Sequence, residues 1–132
     1  MHPILAVGAG GFLGSILRYK IGGVVLHHAL GERLPLATLA INVLGCLAAG
    51  ALAGWAESRS LLPGGLSPTA RLFLITGFCG GFTTFSAFGL ETMHLVRRQA
   101  PALAGLNVAL SLIGGLGGVW LGWRVATALA RP

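Results

Sequence analysis

The segment "GFCGGFTTFSAFGLE", from Gly77 to Glu91, contains residue types that an ordinary lipid-facing helix does not need. A glycine pair and two threonines precede two phenylalanines that are three residues apart. Each glycine weakens a helix by about 1 kcal/mol relative to alanine. A break at membrane depth frees backbone carbonyls, which must then bind protein, water or an ion. The segment therefore predicts a broken helix whose freed carbonyls could bind a cation.

The two phenylalanines that follow, Phe85 and Phe88, share one helix face, with Ser86 beside them. The edge of an aromatic ring carries positive potential. A small, hard anion could pass along ring edges and hydroxyl donors without meeting a fixed charge that would trap it, and such weak binding favours conduction. The alternative is that the rings only fill space, and their spacing leaves both interpretations open.

Other polar residues lie inside apolar runs, where they are costly unless they face a partner or a water-filled path. Arg18 either extends to the membrane interface or lines a vestibule open to anions, whereas Lys20 is expected to extend to the interface. Asn42 is either a contact between helices or a hydrogen-bond donor in a pore. Asn107 and Ser111 lie one helical turn apart and form a small polar stripe.

Carboxylates are absent from the expected middle of each run, because Glu32, Glu57 and Glu91 lie at ends or in connections. This argues against proton-coupled antiport and against a cation pore lined by acidic rings. Cys46 and Cys79 are interpreted as small apolar side chains. With no nucleophile triad or carboxylate pair, the chain is not expected to be an enzyme.

The composition shows which elements must position these residues. The chain has 132 residues, of which 55% are hydrophobic and 9% charged, and its mean hydropathy is +0.83. Four runs are long enough to cross a bilayer as helices: residues 3–26, 35–56, 71–90 and 102–123. No Lys or Arg precedes the first run, which argues against a cleaved signal peptide. The sequence predicts an all-α membrane protein with a single four-helix domain over residues 1–132.

The basic residues are divided evenly between the two ends of the predicted helices. One end has Arg59, Arg71, Arg124 and Arg131, and the other has Lys20, Arg33, Arg97 and Arg98. Since orientation follows the Lys and Arg bias of short loops, the chain could insert both ways and pair as an antiparallel dimer, or one orientation could prevail through other signals. The net charge of +6 is scattered, which favours membrane lipid over nucleic acid as a partner.

Glycine accounts for 22 residues, and GxxxG spacing occurs on every predicted span. Small residues at this spacing allow close helix packing in membranes. Tight packing alone accounts for most of these glycines, and their presence on all spans raises the further expectation of partners beyond one four-helix chain.

Three motifs give the chain a family resemblance. "GGFTTFSAF" (Gly80 to Phe88), "INVLG" (Ile41 to Gly45) and "GFLGSILRY" (Gly11 to Tyr19) closely resemble the Fluc/CrcB family of fluoride channels, over all four spans. The resemblance implies an antiparallel, dual-topology homodimer with two pores. It also implies fluoride export through the bacterial inner or plasma membrane. Two competing hypotheses are a small multidrug-type exporter, which would need a deep glutamate in the first span, and a non-transporting assembly subunit.

The resemblance also assigns roles to residues. It implies a structural Na⁺ at the dimer centre, held by the backbone carbonyls of Gly80 and Thr83. Ala87 stands where the family commonly has threonine, which removes one hydroxyl, and Ser15 stands where it commonly has alanine. Asn107 aligns with a tyrosine of some members. The fluoride pathway that the resemblance implies comprises Arg18, Asn42, Phe85, Ser86, Phe88 and Ser111.

Overall fold

The computed structural model describes residues 2–28, 34–59 and 65–130, apart from the side chains of residues 25–28. Glu32, Arg33 and Arg131 lie outside the described residues. The described part is helical: α1 Pro3–His28, α2 Leu36–Ser58, α3 Pro68–Arg71, a π-helix Leu72–Cys79, α4 Gly80–Phe82, α5 Phe85–Arg97 and α6 Pro101–Leu129.

Four helical runs are long and apolar enough to cross a membrane. They are Pro3–Val24, Leu36–Ser58, Pro68–Arg97 and Pro101–Leu129, called here the first to fourth spans. The predicted all-α class with four membrane-spanning helices is therefore confirmed. The third span extends well beyond the predicted residues 71–90, and this longer helix brings Glu91 into the bundle.

The third span changes backbone geometry several times along its length. Ser67 accepts a hydrogen bond from the Ala70 amide and begins α3. The π-helix and α4 follow, and Thr83 and Thr84 then have extended backbone angles (ψ 161° and 111°). Thr84 also begins α5, because its hydroxyl accepts a hydrogen bond from the Ala87 amide at 3.3 Å. This two-residue extended step determines where the following phenylalanines point.

Glycines allow the first span to contact the backbone of the third. A Cβ atom at Gly14 would collide with the carbonyl oxygen of Phe78, and one at Gly81 would collide with the carbonyl oxygen of Gly11. Substitution of either glycine would therefore separate the two backbones. This close approach aligns α1 with the glycine pair that precedes the extended step.

The second and fourth spans pack in the same way. A Cβ at Gly50 would collide with the Val119 carbonyl oxygen, and one at Gly122 would collide with that of Leu47. These glycines, like those between the first and third spans, make their close contacts within one chain. The GxxxG pairs therefore do not require the additional partners that their number suggested.

Candidate ion pathway

The extended step in the third span is held by one side chain of α2. The Thr84 amide donates to Asn42 Oδ1 at 2.7 Å, and Asn42 Nδ2 donates to the Thr84 carbonyl at 3.0 Å. In a continuous helix, the amide and carbonyl of Thr84 would bond to other backbone groups. Here the side-chain amide of Asn42 takes the place of those partners, because buried backbone groups need hydrogen bonds. Of the two roles considered for Asn42, a contact between helices is confirmed, and the same residue also lines a cavity.

That cavity, called here the phenylalanine cavity, has a volume of about 230 Å³. The Phe85 and Phe88 ring centroids are 5.4 Å apart and the rings are tilted by 49°. Phe85 is 81% exposed in the single chain, so one side of the pair is open. Four of the predicted pathway residues line this cavity: Asn42, Phe85, Phe88 and Ser111. The other lining residues are Cys46, Thr83, Thr84, Leu112 and Gly115.

Two polar residues that sequence reasoning grouped with this site lie apart from the cavity. Ser86 is exposed, and its hydroxyl lies 3.2 Å from that of Thr84. Asn107 is only 2% exposed, and its amide donates to the Thr92 hydroxyl at 2.9 Å. Asn107 and Ser111 therefore do not act as one polar stripe, because Ser111 lines the cavity and Asn107 does not.

Arg18 lies outside the phenylalanine cavity and contacts the backbone just before the extended step. It lines a second cavity of about 870 Å³, called here the basic cavity. Its Nε donates to the Gly81 carbonyl at 3.1 Å, and the Ser15 hydroxyl lies 3.4 Å from the same oxygen. Thr84 contributes to the lining of both cavities. The basic cavity is lined by Arg18, Tyr19, Lys20, Gly22, Gly23, Val24, Ala37, Thr38, Ile41, Thr84, Ala87 and Glu91.

Sequence reasoning missed Glu91 and Thr38 as residues of this site. The Thr38 hydroxyl donates to Glu91 Oε1 at 2.6 Å, while Glu91 Oε2 is buried without a hydrogen-bond partner. Two spacings could have indicated them, because Thr38 precedes Asn42 by four residues and Glu91 follows Ala87 by four. Both pairs therefore lie one helical turn apart on one face.

The charges around the basic cavity favour anions without holding them tightly. Arg18 and Lys20 contribute two cations to its lining, and Glu91 contributes one carboxylate. A cavity with excess positive charge raises the local concentration of anions, and the carboxylate weakens their retention. This arrangement suits access and release of a small anion more than permanent binding.

The extended step also leaves a carbonyl available to a cation. The Thr84 amide, the expected helical donor to Gly80, is engaged by Asn42. Gly80 is exposed, and a Cβ built on it would meet nothing within 4 Å. Carbonyl oxygens suit hard cations, so the Gly80 carbonyl is a candidate ligand for such an ion. The described residues contain no cluster of three or more His, Cys, Asp or Glu side chains.

The family model and the similar proteins found by comparison all point to one family. Residues 5–123 match a family model described as "CrcB-like protein, Camphor Resistance (CrcB)". A relative from Methylobacillus flagellatus is 42% identical, covering 95% of this chain and 94% of the relative. A Chlorobaculum tepidum relative is 46% identical (96% and 95%), and one from Methanococcus maripaludis is 42% identical (92% and 93%). Each of the three is named "Fluoride-specific ion channel FluC".

Proposed function

Because this chain belongs to the CrcB family, we propose that it is a fluoride-specific ion channel that lets fluoride leave the cytoplasm. The resemblance inferred from the three sequence motifs is confirmed. The chain is a multi-pass membrane protein and not an enzyme, since the relatives it matches are named as channels. The observation that supports the proposal most strongly is the phenylalanine cavity, in which two aromatic rings, the Asn42 amide and the Ser111 side chain line one small space.

The proposed path begins in the basic cavity, where Arg18 and Lys20 attract the anion. Thr84 lines both cavities, and the anion is proposed to pass from one to the other beside it. The anion then contacts the edges of Phe85 and Phe88 and the hydroxyl of Ser111. Ser86, which is exposed beside Thr84, completes the path only if a second chain covers this face. No step gives the anion a strong ligand, and weak binding at several sites allows rapid passage.

The assembly proposed for this path is an antiparallel homodimer with two pores. Phe85, at 81% exposure, leaves the phenylalanine cavity open in one chain, and a second copy would close it. The extended step at Thr83 and Thr84 is proposed to lie at mid-membrane. Both chains would then present the carbonyls of Gly80 and Thr83 to one structural Na⁺ at the dimer centre. The positive charge of the ion would hold together the extended steps of the two chains.

The proposed physiological role is passive export. Fluoride crosses membranes as neutral HF and ionises in the cytoplasm, where the charged form is retained. A channel for the anion removes it down its electrochemical gradient.

Purified protein in proteoliposomes tests the proposal. Vesicles loaded with potassium fluoride or potassium chloride are diluted into salt-free buffer with valinomycin, and an ion-selective electrode records efflux. We expect rapid fluoride efflux and little chloride efflux. Equal efflux of both anions, or no efflux from vesicles that contain folded protein, would overturn the proposed function.

A further inference from the structure

A groove between the ends of the second and fourth spans has no part in the proposed path. It has a volume of about 340 Å³ and lies between the last turns of α2 and α6. Its walls are mostly alanine and leucine side chains, with one arginine and one tryptophan. The lining residues are Ala51, Leu52, Trp55, Arg59, Ala126, Leu129 and Ala130.

Arg59 is the charged residue of this groove. Its Nε atom is buried and has no hydrogen-bond partner. The acid closest to it in sequence, Glu57, accepts a hydrogen bond from Trp123 Nε1 at 2.9 Å. A buried N–H donor without an acceptor is costly, so a bound acceptor that reaches the Arg59 Nε atom would stabilise this side chain.

Arg59 is the residue that directly follows the end of α2, and the end of a spanning helix is where a side chain reaches the membrane–water interface. Ala51, Trp55 and Arg59 follow one another at four-residue spacing along α2 and form one line into the groove. The three tryptophans of the sequence, Trp55, Trp120 and Trp123, are all partly exposed, and tryptophan is enriched at the membrane–water interface. Arg59 lies one turn beyond Trp55, where a phosphate would be expected.

We propose that this groove binds an anionic phospholipid. One acyl chain fills the space between α2 and α6, and the headgroup phosphate accepts hydrogen bonds from the Arg59 guanidinium, which turns towards it on binding. Charge complementarity favours this occupant, since the charged side chain in the groove lining is the Arg59 guanidinium, and basic side chains near the membrane surface attract anionic lipid. Arginine also binds phosphate through paired hydrogen bonds. This inference does not depend on the proposed function.

Lipid binding to the full-length protein in a neutral detergent tests this inference. Thermal unfolding and native mass spectrometry would be measured with phosphatidylglycerol, with phosphatidylcholine of the same chains, and with inorganic phosphate. We expect phosphatidylglycerol alone to raise the unfolding midpoint. Arg59→Gln should weaken its binding on the order of tenfold, as loss of a charge-assisted hydrogen bond predicts.

Two further variants separate the headgroup from the acyl chain. Ala126→Leu keeps the charge but fills the groove, and it should also weaken phosphatidylglycerol binding. Arg124→Gln removes a charge that lies 5.9 Å from the Trp120 ring, outside the groove, and should leave binding unchanged. If Arg59→Gln does not fold, Arg59→Lys is measured in its place, and we expect it to bind the lipid more weakly than the unsubstituted chain.

Several results would overturn the proposal. These are equal binding of phosphatidylcholine, an equal response to inorganic phosphate, or undiminished phosphatidylglycerol binding by the Arg59 or Ala126 variant. An Arg59 variant that is less stable by the same amount with and without lipid would also overturn it, because the guanidinium would then bind another part of the chain.

Discussion

The rings of Phe85 and Phe88 either attract fluoride through their positive edges or only fill space. Substitution of the rings distinguishes these two roles. Replacement of either ring by isoleucine keeps the site apolar, and swaps of similar volume usually cost less than about 1.5 kcal/mol. The positive ring edge is lost, and an apolar wall offers fluoride nothing in its place. We therefore expect fluoride efflux to fall much more than thermal stability in Phe85→Ile and Phe88→Ile.

Methionine provides the matched comparison for these rings. Its polarisable sulfur and flexible chain should preserve more efflux than isoleucine at either position. If the isoleucine variants conduct normally while they remain folded, the ring-edge mechanism is wrong. A fall in efflux that only follows the fall in stability would show that the rings just fill space.

Asn42 should support both stability and conduction, because its amide binds both polar groups of Thr84. Asn42→Ala leaves a backbone donor and acceptor without partners, at a cost of about 1–3 kcal/mol for each buried group. We expect a lower unfolding temperature and a large loss of efflux.

Asn107→Ala is the control for Asn42→Ala, because Asn107 donates to Thr92 and does not line the phenylalanine cavity. This variant should lose stability but keep its efflux per folded protein. Equal loss of efflux in the two variants would contradict a specific role for Asn42 in the path.

Glu91 is expected to limit how tightly the basic cavity holds an anion. Glu91→Gln keeps an acceptor for the Thr38 hydroxyl but removes the negative charge. The half-saturating fluoride concentration should therefore fall severalfold, since Arg18 and Lys20 then act without opposition. Glu57→Gln removes a charge outside both described cavities and should leave this concentration unchanged. If the half-saturating fluoride concentration is unchanged in Glu91→Gln as well as in Glu57→Gln, Glu91 does not face the permeating ion.

The helices themselves could be predicted from the sequence, because apolar runs of this length have few other structures available in a membrane. The segment containing Gly80, Thr83 and Thr84 also indicated that this part of the third span is irregular. The π-helix Leu72–Cys79, which packs against α1, could not be predicted, since it has no sequence signature. The Glu91–Thr38 hydrogen bond was missed because the third span ends later than its hydropathy suggests.

Close contact between the first and third spans should depend on the absence of a side chain at Gly14. A methyl group there would meet the Phe78 carbonyl oxygen, and such overpacking typically costs about 1–3 kcal/mol. We expect Gly14→Ala to lower the unfolding temperature and to reduce efflux, because α1 carries Arg18.

Gly8→Ala is the matched control on the same helix, because a Cβ at Gly8 meets nothing within 4 Å. Alanine is the better helix former by about 1 kcal/mol, so this variant should be as stable as the unsubstituted chain or more so. A Gly14→Ala variant that is equally stable would mean that the two backbones can separate without loss.

The molecule as a whole leaves its proposed ion path exposed in the single chain. Phe85 and Gly80, which contribute to the path and to the proposed sodium site, are both open. The glycine contacts do not explain this exposure, because they are made within the chain. The proposed antiparallel dimer would cover both residues, and the even distribution of basic residues would let copies insert in either direction.

Orientation therefore provides the last prediction. Reporters fused to the C-terminus should be found on both sides of the membrane in comparable amounts. Added C-terminal lysines should bias all copies towards one orientation, because positively charged segments remain in the cytoplasm. If the pore requires two opposite copies, such a variant should be inserted and folded but should conduct little fluoride. Co-expression with a variant biased the other way, by lysines in the connection between the third and fourth spans, should restore efflux. Full efflux from copies in a single orientation would exclude the antiparallel pore, and the same fold would then have to conduct as a parallel dimer or a single chain.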